Sequence, residues 1–474
     1  MSVKEGIRQG ELWAIERFFP PEELRQLEYW GIFPEGDARL QHLHEPGNII
    51  VGIASVLTPA EEPHGQPLED KIDPLALSPE SPLYHLVSFP LIRRLFSIGR
   101  LGLSRGAPFI NWPSRGQHAF QVGLEGLKFA VKKGWTRSEQ LRAFIAGSTH
   151  DPHPGFGDAA KIALGIKEED IVGEYFQGDN QEFWENWLKE IDEHFGIKFT
   201  YQDVKDFIER VVRREEGSLP GVISHGPSRD SLDLDFWEYT VADARAAFQA
   251  VMMPDARYDL EAHPLTQVAR PSFAERMTQL RAGLLGFDNL EDLGRLKEGV
   301  WIYFQEVDIR PYLKIIDGQL AATNPTIFRN LAQLAAVLYE GHYFHPNTLG
   351  PEFMFAQAIN ADRASYPSIG EFTTLTDSQL AEKLKGTSAG EWLNGENHHG
   401  WRIVSDGSYR LRQGEIIMKA AYPKVNLRLS TPVMYRGEIG PWKELFPKEA
   451  EPLVALERRS GQRITLVKDD PAAK

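Results

Sequence analysis

Cysteine is absent from all 474 residues. That excludes a disulfide framework and a thiolate nucleophile, and it suits a reducing cytosol. No apolar run approaches the roughly 18 residues a membrane-spanning helix needs. The first residues, with Glu5, Arg8 and Glu11 close together, do not read as a signal peptide. The expected location is therefore cytoplasmic, with no membrane partner. There is no Gly-x-x-x-x-Gly-Lys-Ser/Thr phosphate loop, no His-Glu-x-x-His helix, no internal repeat and no low-complexity tract. Positive charge is also scarce. A formal net charge of −15 argues against nonspecific nucleic-acid binding across the surface, so a polyanionic substrate has to be attracted locally by a metal ion and nearby arginines.

Apolar residues make up 42% of the chain, ample for one large core or about two to four average domains. Three regions are expected. Residues 1–82 combine a helical start at Pro20-Pro21-Glu22-Glu23, a short apolar segment from Ile49 to Leu57 and a linker rich in Pro, Glu and Asp from Thr58 to Pro82. Residues 83–345 have helical periodicity almost throughout and form the core. Residues 346–474 form a smaller lobe in which alternation predicts strands at Tyr409–Arg412, Glu415–Ala420, Lys424–Leu429 and Arg463–Lys468.

Within the core, Ser148-Thr149-His150-Asp151 ends an apolar helix and runs into Pro152, His153, Pro154, Gly155, Phe156, Gly157 and Asp158. An imidazole and a carboxylate side by side suit a divalent ion. With 14 histidines, about one His-Asp pair is expected by chance, so partners are required. His118 is the first. It opens a run to Lys132 in which Phe120, Leu124, Leu127 and Val131 recur at helical spacing, and Thr136-Arg137-Ser138-Glu139 reads as a capping box for the next helix. At about 1.5 Å per residue the first helix carries the chain roughly 24 Å away and the second brings it back. His118 and His150-Asp151 therefore end on one side. The second partner is Asp235, on a helix predicted over 232–250, where Asp235, Tyr239 and Asp243 stack at i, i+4 and i+8. His118, His150, Asp151 and Asp235 would offer a metal two imidazoles and two carboxylates.

Ser114-Arg115-Gly116-Gln117-His118, His150-Asp151 and Leu234-Asp235-Phe236-Trp237-Glu238-Tyr239 with Asp243 resemble the successive motifs of the HD-domain deoxynucleoside triphosphate triphosphohydrolases (dNTPases). The similarity is closest to the animal branch that carries a SAM domain, although no SAM domain is evident here. Ser81–Leu86, Phe89–Leu95, the Gly-rich Ile98–Gly106, Phe372–Asp377 and Tyr422–Leu429 extend the resemblance over roughly residues 80 to 440. It implies a mainly α fold, with an HD-domain helical core and a smaller α+β C-terminal lobe. The implied activity is metal-dependent hydrolysis of a dNTP to deoxynucleoside and tripolyphosphate. The resemblance implies as cofactor a divalent ion (Mg, Mn, Fe, Co or Ni) on His118, His150, Asp151 and Asp235. Arg115 is expected on a substrate phosphate, Tyr239 and Asp243 at the sugar or base, and the protein is expected to form a homo-oligomer.

One departure bears on the chemistry. Family members follow the pair with a loop ending in a second His and an acid three residues later; here Asp158 and Lys161 stand at those places. His153, which resembles the first loop His, and Asp158 are left as the candidate acid and base. The altered loop keeps two alternatives open: an HD phosphohydrolase acting on a nucleoside monophosphate, cyclic nucleotide or other phosphoester, and a nucleotide-binding protein without turnover. A di-iron oxygenase reading would need His194 and His225, but His194 shares an apolar helix face with Trp187 and Ile191, and His225 reads as part of a loop. For the other residues the plain alternatives are a surface salt bridge at Arg115, core-edge hydrogen bonds at Tyr239 and Asp243, and a core aromatic stripe at Trp301, Tyr303 and Phe304.

Overall fold

The computed structural model describes residues 94, 95, 98, 99, 114–176, 180–252, 312–339, 343–361, 363, 366–393, 400–404, 409 and 414–469. The region 1–82, the aromatic residues at 301–304 and most of the strand expected at 409–412 lie outside them. The described chain is mainly helical with two small sheets.

The helices around His118 and His150 are α1 (Arg115–Lys132) and α2 (Arg137–Thr149). Thr136 caps α2 reciprocally with Glu139, as the capping box predicts: Thr136 Oγ1 accepts from Glu139 N at 3.3 Å, and Glu139 Oε2 accepts from Thr136 N at 2.8 Å. The two helices run antiparallel at close range. A Cβ built on Gly126 would stand 2.7 Å from the Ala143 carbonyl oxygen, and one on Gly147 would stand 2.6 Å from that of Val122. Only glycine allows backbones to approach so closely. Phe120 and Phe144, both buried, meet edge to face across the pair at 5.5 Å.

Six helices follow: α3 (Gly157–Leu164), α4 (Glu168–Tyr175), α5 (Asn180–Phe195), α6 (Tyr201–Val212), α7 (Leu219–His225) and α8 (Leu234–Met252). One buried cluster joins Phe120 and Phe144 to Ile171, Trp184, Ile191 and Phe207, with Phe176 stacked on Trp184 at 4.4 Å. A second joins Phe129 of α1 and Phe236 of α8 to Leu320, Phe328 and Trp442. The site lies where α1, α2 and α8 converge.

Periodicity reads residues 83–345 as helical, but the structure places a β-hairpin there. β1 (Leu313–Ile316) pairs antiparallel with β2 (Gln319–Ala322). Asp317 and Gly318 form the turn with φ of 49° and 72°, the mirror-image geometry that matches strand twist. Next come α9 (Pro325–Leu338), capped by Asn324, and α10 (Pro346–Ala361). Three short helices follow: α11 (Ile369–Thr374), α12 (Asp377–Leu384) and α13 (Ser388–Glu391). Gly386-Thr387-Ser388-Ala389-Gly390 has the spacing of a nucleophile elbow, but it links helix to helix. Ser388 thus lacks the strand-to-helix turn that such a nucleophile needs.

The remaining strands are β3 (Arg402–Val404), β4 (Glu415–Ala421), β5 (Pro432–Tyr435), β6 (Glu438–Pro441) and β7 (Arg463–Asp469). They complete sheets of order β1-β2-β5-β6 and β3-β7-β4, so 313–322 and 432–441 share one sheet. The strand expected at Lys424–Leu429 is absent. Its alternation is real, because Val425, Leu427 and Leu429 are buried. Two of its backbone donors go to side chains instead of a strand: Val425 N to Ser460 Oγ at 3.0 Å and Leu427 N to Glu457 Oε1 at 2.8 Å.

Candidate metal centre

Three side chains from α1, the end of α2 and the first turn of α8 present one ligand atom each: His118, His150 and Asp235, with all three atoms within 4.8 Å of one another. Asp235 Oδ1 lies 3.0 Å from His118 Nε2 and 3.1 Å from His150 Nε2. Each imidazole is oriented from behind. His150 Nδ1 donates to the Gly147 carbonyl at 2.5 Å, and His118 Nδ1 donates to Glu238 Oε2. With each Nδ1 held as a donor, each Nε2 points into the shared space, where a deprotonated nitrogen would offer its lone pair to an ion. His150 Nε2 is buried, with Asp235 Oδ1 the carboxylate oxygen facing it. Two imidazole nitrogens and a carboxylate, held from the outer side by a carbonyl and a second carboxylate, fit a divalent ion.

Without an ion, charge is balanced by protons. Burial pulls the His150 imidazole down, but the Asp235 and Asp151 carboxylates outweigh it and hold the group at about 9. Burial pushes Asp235 up, and the facing histidines bring it well below the usual carboxylate range. A divalent ion taken up here at neutral pH would therefore displace a proton.

Of the four ligands expected from the sequence, the structure brings together three. Asp151 faces a neighbouring cluster: its Oδ2 accepts from His153 Nε2 at 2.6 Å and lies 3.4 Å from Arg115 Nη1, and its Oδ1 is 3.6 Å from Lys161 Nζ. Burial raises Asp151, but these three groups hold it well below the ordinary value. Arg115 also reaches Asp158 at 3.5 Å. Asp158 is half-exposed; its partial burial works upward, Lys161 and Arg115 outweigh it, and the carboxyl stays ionised. Tyr239 and Asp243 continue along α8 toward other partners. Asp243 is buried and accepts from Tyr343 Oη, and Tyr239 is kept a neutral phenol by burial and by the neighbouring Tyr339.

Several residues that shape the site have weak sequence signals. Glu238 stands three residues beyond Asp235 on the same helix face, a spacing that could have marked it. Arg94 holds the loop after the His-Asp pair, donating to the carbonyls of His153 at 2.6 Å, Phe372 at 3.1 Å and Leu375 at 3.1 Å. Asp377 accepts from Phe156 N at 2.7 Å and Gly99 N at 2.8 Å. His225 is not in a loop as the sequence suggests but is the last residue of α7, its ring edge-on to His150 at 5.4 Å.

The neutral histidines set an acid sensitivity. Burial, reinforced by Arg115, pushes His153 down to about 4; burial, Arg214 and His150 push His225 to about 3. An unfolded imidazole titrates near about 6.5. Because both folded values are depressed, the unfolded chain gains protons first as pH falls. The stability these groups contribute is complete above 6.5 and is lost between 6.5 and their folded values, on the order of 3 kcal/mol each by pH 4. His150, raised to about 9, acts in the opposite sense and offsets part of this. In EDTA, the urea midpoint should fall steadily from pH 7 to pH 4, and His225→Gln should flatten the slope. A midpoint independent of pH over that range would contradict the assignment of buried neutral imidazoles.

No protein-family model matches the chain, and no curated protein matches it. Among solved structures it is similar to a phosphohydrolase from Bacteroides thetaiotaomicron, at 16% identity over 82% of this chain and 95% of that one, with a TM-score of 0.49. It is also similar to a hypothetical protein from Aquifex aeolicus, at 13% identity over 82% of this chain and 92% of that one, with a TM-score of 0.48.

Proposed function

We propose that this protein is a divalent-metal-dependent phosphohydrolase with an HD-type helical core, and that it hydrolyses dNTPs to deoxynucleoside and tripolyphosphate. The observation that carries the reading is the convergence of His118, His150 and Asp235, with the two rings oriented by Glu238 and the Gly147 carbonyl. The motif order resembling the HD-domain dNTPases supports the choice of substrate. An ion on these residues would supply charge stabilisation at a phosphoryl oxygen and lower the pKa of water.

The chain's own groups divide the remaining work. Arg115, with its guanidinium between Asp151 and Asp158, is placed to exchange a carboxylate for a phosphate oxygen. Lys161 brings a second cation to the same carboxylate cluster, and its pairing with Asp151, Asp158 and Glu168 outweighs burial and keeps it protonated. His153 is neutral and fixed by Asp151; Asp158, ionised and half-exposed, is the candidate base. Tyr239, half-buried on the same helix, offers a hydroxyl partner to a sugar, with Asp243 behind it engaged by Tyr343.

The decisive experiment incubates the protein with each dNTP and Mg²⁺, Mn²⁺ or Co²⁺, with Asp151→Ala as control, and resolves the products by chromatography. Deoxynucleoside plus tripolyphosphate, lost in the variant, is the expected result. The pairing of Arg115 with Asp158, and of Lys161 with Asp151, where family members carry a His and an acid, favours a second reading in which the phosphoester differs. Release of phosphate from a nucleoside monophosphate or opening of a cyclic nucleotide, with dNTPs untouched, would replace the first reading by the second. Tight nucleotide binding without product would remove both.

A further inference from the structure

Asp233 stands two residues before Asp235, has no exposed surface and begins α8, its Oδ1 accepting from Phe236 N at 2.8 Å. The same carboxylate receives two arginines, one 19 residues before it and one 195 residues after it. Arg428 Nη2 lies 3.1 Å from Oδ2 and 3.5 Å from Oδ1, and Arg214 Nη1 lies 3.4 Å from Oδ2. Both arginines have left-handed backbones, with φ of 58° and 59°, where a side chain crowds its own carbonyl. Such conformations persist when surrounding contacts hold them.

One guanidinium is enough to balance one carboxylate, so the second arginine is better explained by what else it holds. Arg214 also donates to the carbonyl of His225, whose ring packs against His150, and to that of Ser228 at 3.3 Å. Arg428 lies 5.6 Å from the ring centroid of Phe236, the residue after Asp235. Arg214 therefore links the start of the helix carrying Asp235 to the residue packed against His150, while Arg428 fixes that helix start from the other end of the chain. We propose that Asp233, Arg214 and Arg428 form a positioning triad that sets Asp235 against His150 and so determines the affinity for a divalent cation. This rests on the metal reading above, and the residues act through the ligands rather than on substrate.

The test is Mn²⁺ titration by calorimetry on the full chain, with the urea midpoint measured in EDTA for each protein. Arg428→Lys and Arg214→Lys keep the charge and lose the fork, and each is expected to weaken Mn²⁺ binding roughly 10–100-fold. Arg402→Lys, which alters a comparable arginine paired with Glu415 across the β3-β7-β4 sheet, should leave Mn²⁺ affinity unchanged. If Arg428→Lys does not fold, Asp233→Asn with Arg428→Gln replaces the ion pair by a neutral hydrogen-bonded pair and carries the same expectation. Wild-type protein that binds Mn²⁺, beside variants that bind it equally well at a lowered urea midpoint, would overturn the positioning role alone. Wild-type protein that binds no Mn²⁺ would overturn both this role and the metal reading.

Discussion

Asp235→Ala is expected to abolish divalent-metal binding and to lower kcat/KM for the substrate identified in the panel by at least about 10³-fold, the equivalent of several kcal/mol of transition-state stabilisation. Asp235 is the one carboxylate among the three converging groups, and its Oδ1 lies close to both imidazole nitrogens. Its removal leaves two imidazoles and no anion. His150 also loses the attraction that holds it at about 9, so burial returns it toward the neutral form. Two measurements separate this from unfolding. For wild-type protein, metal at a hundred times its Kd should stabilise the fold by about 2.7 kcal/mol, seen as a raised Tm; for Asp235→Ala the shift should vanish. The Tm in EDTA should change little by comparison. A variant that is still stabilised by Mn²⁺ as the wild type is would remove Asp235 from the ligand set.

His118, His150 and Asp235 could be brought together on paper because helices translate residue number into distance. An 18-residue helix, a short turn and a 13-residue return helix leave few alternatives for where the two histidines lie, and the i, i+4, i+8 spacing did the same for Asp235, Tyr239 and Asp243. What periodicity cannot supply is a side-chain direction. Asp151 directly follows His150 yet turns toward Arg115, His153 and Lys161, a choice made by two rotatable bonds and by charges from neighbouring segments. Long-range pairs were equally hidden: Arg428 lies 195 residues from Asp233, and nothing local in either segment announces the other. The β1–β2 hairpin is a different case. Asp317-Gly318 is a strong two-residue turn signal, but it is flanked by strands of only four residues, too short for alternation to outweigh helical neighbours. At Lys424–Leu429 the opposite happened, because alternating burial produced a strand-like pattern without a strand partner.

Gly147→Ala should damage the site as well as the fold, although its side chain is only a hydrogen. The new Cβ would stand 2.6 Å from the Val122 carbonyl oxygen and 2.8 Å from Gly123 N and Cα. All three are backbone atoms of α1 and cannot rotate aside. The helices must separate by several tenths of an ångström, which costs about 1–3 kcal/mol in a close-packed interior. The roughly 1 kcal/mol gained from alanine's better helix propensity offsets only part of that. The larger consequence lies at the site. Gly147 O holds His150 Nδ1, three residues on, while His118 rides on α1, so a wedge between α1 and α2 changes the spacing of the two imidazoles directly. The expected outcome is a lowered urea midpoint together with Mn²⁺ affinity reduced by at least about 10-fold, as for loss of an orienting contact. Gly370→Ala is the matched control: it lies within α11, and the nearest atom to its new Cβ would be 3.9 Å away, so stability should hold or rise and Mn²⁺ affinity should stay unchanged. Should Gly147→Ala bind Mn²⁺ as tightly as the wild type, the close approach of α1 and α2 would be packing alone, and the ligand spacing would be governed from the α8 side of the site.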